Sequence, residues 1–173
     1  METWNTKHGP QWAVEFKDID EEIHYLRKMI SKYREDPIIR NLAVKIVKDA
    51  KCEMKDKRDQ AIAIGAWVKD NIYYVLELPE RFATPTETLR AKAGDCDDMA
   101  TLIGSLCEAI GITIRLVVLE LNGKWAHIFP AAIANRGAGL LPLDATLSDP
   151  ISNLTNPVEL MTSKGVRVRL KVL

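Results

Sequence analysis

An α+β fold, with N-terminal helices packed on an antiparallel β-sheet, is what this chain of 173 residues predicts. Up to about residue 110 the apolar residues recur at helical spacing. Beyond it, β-branched residues run in short segments broken by turn signals. A third observation is the segment Ala93-Gly94-Asp95-Cys96-Asp97-Asp98-Met99-Ala100, which sets a cysteine at the opening of the last helix.

The first 18 or so residues carry Trp4, Trp12 and Phe16 without a clear period and read as an arm that packs by its aromatics. Asp18-Ile19-Asp20-Glu21 then gives the acidic start of a helix whose stripe is Ile23, Leu26, Met29 and Ile30. Asp36-Pro37 ends it and opens a second helix, because proline is tolerated in a first helical turn. The apolar side of that helix is read as Ile38, Leu42, Val44, Ile46 and Val47, and Lys51 to Asp59 as a solvated connection. A third helix is predicted from Asp59 to about Val75, with Ile64, Trp67, Val68 and Ile72 on one side. Leu78-Pro79-Glu80 to Thr84-Pro85-Thr86 is a proline-punctuated loop that walls a cleft. The helix from Cys96 runs through Met99, Leu102, Ile103, Leu106 and Ile110 and stops at Gly111.

Thr113 to Leu121 and Lys124 to Ala134 are strands around Asn122-Gly123, a two-residue hairpin signal. Asn135 to Gly139 turns the chain into a third strand, Leu140 to Asp144, which makes an antiparallel meander. Residues 147–164 read as loop. Val166, Val168, Leu170 and Val172 alternate with basic residues as a half-exposed strand. One domain over 1–173 is expected: a helical N-terminal extension (1–55), a core (56–147), and a C-terminal loop and strand (148–173).

Composition narrows the function. Twenty-four basic residues balance 24 acidic ones, which leaves no electrostatic footprint for nucleic acid or an anionic membrane. No apolar run reaches the roughly 18 residues needed to cross a bilayer, and the start lacks a signal-peptide pattern, so a cytoplasmic location is expected. Cys52, Cys96 and Cys107 form an odd set with no CxxC, which argues against a disulfide framework or a thiolate zinc site. Cys107 reads as a core residue, and Cys52 sits in a polar linker.

Cys96 differs from both. Asp95 is a good N-cap, and Asp98 is placed to reach back as in a capping box. A first-turn cysteine faces free backbone N–H groups and the positive end of the helix dipole, which favour a thiolate. Asp97 and Asp98 oppose that anion, so the sequence asks for a nearby imidazolium. His127 lies on the return strand and Asp144 at the end of the third. A thiol, a base and a group orienting the base are what nucleophilic acyl chemistry needs. Asp95, Asp97, Asp98 and His127 as a metal site is a weaker reading, because consecutive side chains at a helix start point different ways.

These residues resemble the transglutaminase-like superfamily, a branch of the papain-like cysteine hydrolase fold. The resemblance is carried by Gly94-Asp95-Cys96-Asp97-Asp98 with Met99-Ala100-Thr101-Leu102, by Ala126-His127-Ile128 and by Leu143-Asp144-Ala145-Thr146. The preceding Trp67-Val68 and Asn71-Ile72-Tyr73-Tyr74 look like the helix before the family nucleophile. Residues 56–147 are covered, and Ala145 stands where proline often follows the aspartate. The resemblance implies Cys96 as nucleophile, His127 as general base and acid, and Asp144 as the residue orienting the imidazole. It also implies a thioacyl intermediate formed on a peptide, isopeptide or glutamine amide, with no metal or organic cofactor. Trp67 and Tyr74 are the candidates for an aromatic that supports the oxyanion. Compact members with a similar helical pair occur in bacterial and phage genomes, so the expectation is a cysteine protease or amidase with a peptide or protein substrate. The alternatives are a peptide- or assembly-binding module on the same fold, associated with phage, and a transamidating cross-linker.

Overall fold

The computed structural model describes residues 3–6, 9–12, 16–76, 82–133, 139–151 and 168–172. Among them are five helices and a four-stranded antiparallel sheet, the expected α+β arrangement. No described helix is long and apolar enough to cross a membrane.

The N-terminal arm contains a short hairpin that the sequence reading did not place. Thr3–Thr6 (β1) and Gly9–Trp12 (β2) pair as an antiparallel hairpin. Each strand has only four residues, too few for alternation to stand out. Phe16 does pack by its ring, 5.4 Å from Tyr25 and 5.1 Å from Phe82.

Helix α1 spans Ile19–Tyr33 and buries the four predicted residues Ile23, Leu26, Met29 and Ile30. Asp18 caps it by accepting the N–H groups of Asp20 and Glu21 at 2.9 and 3.0 Å. Helix α2 spans Pro37–Asp49 behind the Asp36 cap, but its inward stripe is Ile39, Ala43 and Ile46. Ile38 and Val44 are 63% and 47% exposed, which corrects the predicted side. Positions 39, 43 and 46 stack at helical spacing, whereas 38 and 44 fall on the far arc; Leu42 and Val47 only flank the buried stripe.

Helix α3 starts at Lys57, earlier than expected, because Asp56 caps it. It ends at Asn71, short of Val75. The β-branched Ile72 is extended, and Tyr73–Tyr74 (β3) pairs in parallel with Ala93–Gly94 (β4). Helix α4, Pro85–Ala91, begins at the last two residues of the predicted loop and runs on beyond it, where no element is predicted. Thr84 and Glu87 form a reciprocal capping box with Pro85 in the first turn, a readable start signal that the nearby prolines obscure.

Helix α5, Cys96–Ala109, is the hub: every residue from Asp97 to Cys107 is buried. It packs on α1, α2, α3 and α4, and on strands β5 (Thr113–Leu121) and β6 (Lys124–Ile133). Gly111 follows its C-cap at φ +76°, as the C′ position requires. Asn122 and Gly123 both take positive φ, the turn that matches hairpin twist. The third meander strand is only Leu141–Pro142 (β7), and Val168–Val172 (β8) flanks β5 to give the order β7-β6-β5-β8. The predicted turn between β6 and β7 and most of the predicted 147–164 loop lie outside the described residues.

The α2 register gives a direct check. Ile39→Ala should lower the unfolding free energy by about 2–5 kcal/mol in urea denaturation, and Ile38→Ala by less than about 0.5 kcal/mol. Equal effects would put the stripe back where the sequence alone set it.

Candidate active site

The site starts from a packed turn. Strand β4 leads directly into α5, and a Cβ on Gly94 would lie 2.7 Å from the Asp98 Cβ, so only glycine allows this approach. Asp95 caps α5 by accepting the Asp98 N–H at 3.4 Å. Asp98 Oδ1 in turn accepts the Ala83 N–H at 2.8 Å and so ties the segment before α4 to the Cys96 turn. Cys96 is thereby fixed, partly buried, at the end of the hub helix. Cys107 is in the core, as expected, and Cys52 is half-buried.

His127 owes its placement to a bulge. In the β5–β6 ladder Leu119 faces His127 while Glu120 faces Trp125, so Ala126 is the extra residue. Such a bulge bends its strand and re-aims the side chains beside it. Strand β7 pairs with Ala131 and Ala132, and the Leu143 N–H continues the contact to the Pro130 carbonyl at 2.8 Å. That register carries the 144–146 turn alongside His127. Nε2 of His127 lies 2.6 Å from Asp144 Oδ2. Asp144 Oδ1 accepts from the Thr146 hydroxyl at 2.7 Å and from the Thr146 N–H at 3.0 Å. Burial works to raise the Asp144 pKa, but the hydrogen bond and charge of His127, with both Thr146 bonds, outweigh it and hold the carboxyl below its ordinary range. The ionised carboxylate needs a donor, so the proton is assigned to Nε2 and leaves Nδ1 as the free ring nitrogen. The ring also stacks on Phe129 at 5.8 Å, which limits its rotation.

Cys96 and His127 line one cleft of about 180 Å³, together with Ile19, Asp97, Val118 and Trp125. The sulfur and the imidazole are not hydrogen-bonded. The Cys96 S–H donates to Asp97 Oδ1 at 3.4 Å. Burial pushes the thiol pKa up, and the adjacent Asp97 and then Asp95 add to this against the opposing Ile128 backbone N–H. At rest, therefore, burial first and then the neighbouring acid groups outweigh the helix end, and the sulfur keeps the proton it gives to Asp97. Asp97 turns inward and is 2% exposed, where sequence reasoning treated it only as a neighbouring charge. Of the two oxyanion candidates, Trp67 packs against the core. Tyr74 is half-exposed, and its phenol pKa is raised by burial and then by Cys96, Asp95, Asp97 and Asp144, which places it in the field of the site.

Trp125 and Ile19 were not singled out from the sequence, and Thr146 was read only as a turn partner of Asp144. Thr146 had a signal, since an aspartate two residues before a threonine forms a side-chain-bonded turn. Trp125 and Ile19 had none, because only tertiary packing brings α1 against the β5–β6 hairpin. Among the described residues no group of three or more His, Cys, Asp or Glu side chains is arranged to hold a metal ion.

Comparison with known proteins agrees with this architecture. A candidate cysteine protease from Cytophaga hutchinsonii superposes with a TM-score of 0.54 at 21% identity over 90% of this chain, which spans 57% of that protein's length. A candidate protease from Parabacteroides distasonis gives 0.54 at 12% identity, over 74% of this chain and 26% of its own. Calcium-bound LapG from Legionella pneumophila gives 0.50 at 18% identity, over 73% and 74% of the two chains. At these identities the likeness is one of fold. No curated protein matches the sequence. The family profile matches residues 40–145, which include the Cys96 helix, the β5–β6 hairpin and the Asp144 turn, and the chain belongs to the transglutaminase-like superfamily.

Proposed function

We propose that the protein is a cysteine hydrolase of amide bonds in peptides or proteins, with Cys96 as nucleophile, His127 as general base and acid, and Asp144 as the residue orienting the imidazole. The observation that carries this reading is the 2.6 Å His127–Asp144 hydrogen bond in the cleft that Cys96 also lines. With Nε2–H held by Asp144, Nδ1 is the ring nitrogen left to act as the general base.

The reaction begins when the sulfur turns from Asp97 toward His127 and its proton passes to Nδ1. The thiolate attacks the amide carbon, and the carbonyl oxygen takes the negative charge. Backbone N–H groups in the first turn of α5 are the nearest helix-end donors for that oxygen. Collapse breaks the C–N bond as His127 protonates the departing amine, which leaves a thioester on Cys96. Water, deprotonated by His127, attacks the thioester and releases the acid and the thiol. Exclusion of water in favour of an amine would give transamidation from the same intermediate.

One observation favours a binding role instead: the resting S–H is given to Asp97 and not to the base. Turnover separates the two readings. Incubation with a peptide library, read by mass spectrometry, should yield cleaved products and an acyl adduct on Cys96, both absent in Cys96→Ala. Asp144→Asn should lower the rate by about two to four orders of magnitude, because it misorients the imidazole and disturbs its tautomer. Capture of intact peptides by wild type and Cys96→Ala alike, with no cleavage, would establish the binding module.

The depressed Asp144 pKa also sets a pH signature. A carboxyl with a lowered folded-state pKa contributes stability that is present above its unfolded value, about 3.9, and is lost as pH falls through the folded value. The stability gap between wild type and Asp144→Asn should therefore be full at neutral pH and close below about pH 4 in denaturant titrations. A gap that is constant with pH would mean that the carboxylate charge is not what matters.

A further inference from the structure

Asp97 has no part in the reaction just described, yet it touches the sulfur. Its Oδ1 accepts the Cys96 S–H, its Oδ2 has no hydrogen-bond partner, and the side chain is 2% exposed. The carboxyl it faces, Asp95, is 5% exposed. Neither makes an ion pair with a basic side chain among the described residues. The groups around Asp97 are Asp95, Cys96 and Asp98 on its own turn, His127 on β6, Asp144 beyond β7, Tyr74 on β3 and Glu22 across the cleft on α1. Only His127 in that set can carry positive charge, and it is bonded to Asp144.

Two dehydrated carboxylates in contact, without a cation, cannot both stay charged. A single shared proton removes the conflict and the orphaned atom together. Asp97 O–H then donates from Oδ2 to Asp95, while Oδ1 accepts from the thiol. Burial, followed by the charge of Asp95, favours the protonated form of Asp97.

We propose that Asp97 is a positioning residue: as the proton-bearing half of a carboxyl pair with Asp95, it holds the Cys96 thiol and keeps the wall beside the sulfur uncharged. This rests on the reading of Cys96 as the nucleophile. A charged Asp97 at this contact would oppose the thiolate, whereas a neutral one holds the S–H at rest and tolerates the anion once the proton has moved to His127.

Infrared difference spectroscopy and Cys96 alkylation test this without a substrate. Near pH 7 the wild type should show the carbonyl band of a protonated carboxylic acid, lost in Asp97→Asn and kept in His127→Ala. Asparagine is neutral and of the same shape, accepts the S–H and donates to Asp95, so it mimics the proposed state. Alkylation of Cys96 by iodoacetamide should match in wild type and Asp97→Asn to within about threefold near neutrality. Well above neutrality the wild type should fall about tenfold behind, as its Asp97 ionises beside the sulfur. Absence of the band near pH 7, or an Asp97→Asn variant that reacts faster at every pH, overturns the proposal. Failure of the Cys96–His127 reading looks different: alkylation would ignore His127→Ala while the infrared band remained.

Discussion

The burial of α5 down to its first turn is the constraint on which the rest depends. A helix sunk from Asp97 to Cys107 cannot leave its N-terminal N–H groups to water, so the chain must satisfy them from within. Asp95 does so from the preceding residue, and Asp98 reaches out to the Ala83 N–H. The β3–β4 pairing fixes the approach of the chain, and Gly94 permits it. One consequence is that Cys96 sits where the helical layer meets the sheet. Another is that carboxyl groups are buried beside it, because the side chains that serve a buried helix end are themselves buried.

That second consequence creates the electrostatic problem of the site. The helix end favours a thiolate by a modest amount, typically below about 1 kcal/mol at an exposed terminus. Dehydration and adjacent acids act in the opposite direction and outweigh it at rest. The other half of the cleft is where the Ala126 bulge and the β7 register place an imidazole already bonded to an ionised carboxylate, and on the proposed mechanism the thiol depends on it. The two halves come from different layers. The acids and the thiol belong to the helix, and the imidazole with its carboxylate partner belongs to the sheet.

The helical and sheet halves were legible because their signals are local. The Ile23-Leu26-Met29-Ile30 stripe and Asn122-Gly123 both formed as read. In α2 the apolar residues are spread around the helix, and only packing selects Ile39 over Ile38. Helix α4 has a capping box at Thr84 and Glu87, but the prolines around its start mask that signal in the sequence. At the candidate site, Cys96, His127 and Asp144 stand out by type and order, and the structure bonds His127 to Asp144 in the cleft that Cys96 lines. The inward turn of Asp97, the extra residue at Ala126 and the approach of Ile19 to Trp125 are products of tertiary packing. No spacing in the sequence encodes them.

The most direct test of a working Cys96–His127 pair is the pH profile of Cys96 alkylation by iodoacetamide, mapped by peptide mass spectrometry in wild type and His127→Ala. The account predicts reaction near pH 6 at least about tenfold faster in wild type than in the variant, since an unassisted thiol with pKa near 8.5 is almost wholly protonated there. Equal, slow alkylation of an accessible Cys96 in both proteins would contradict it and leave the cleft a binding surface.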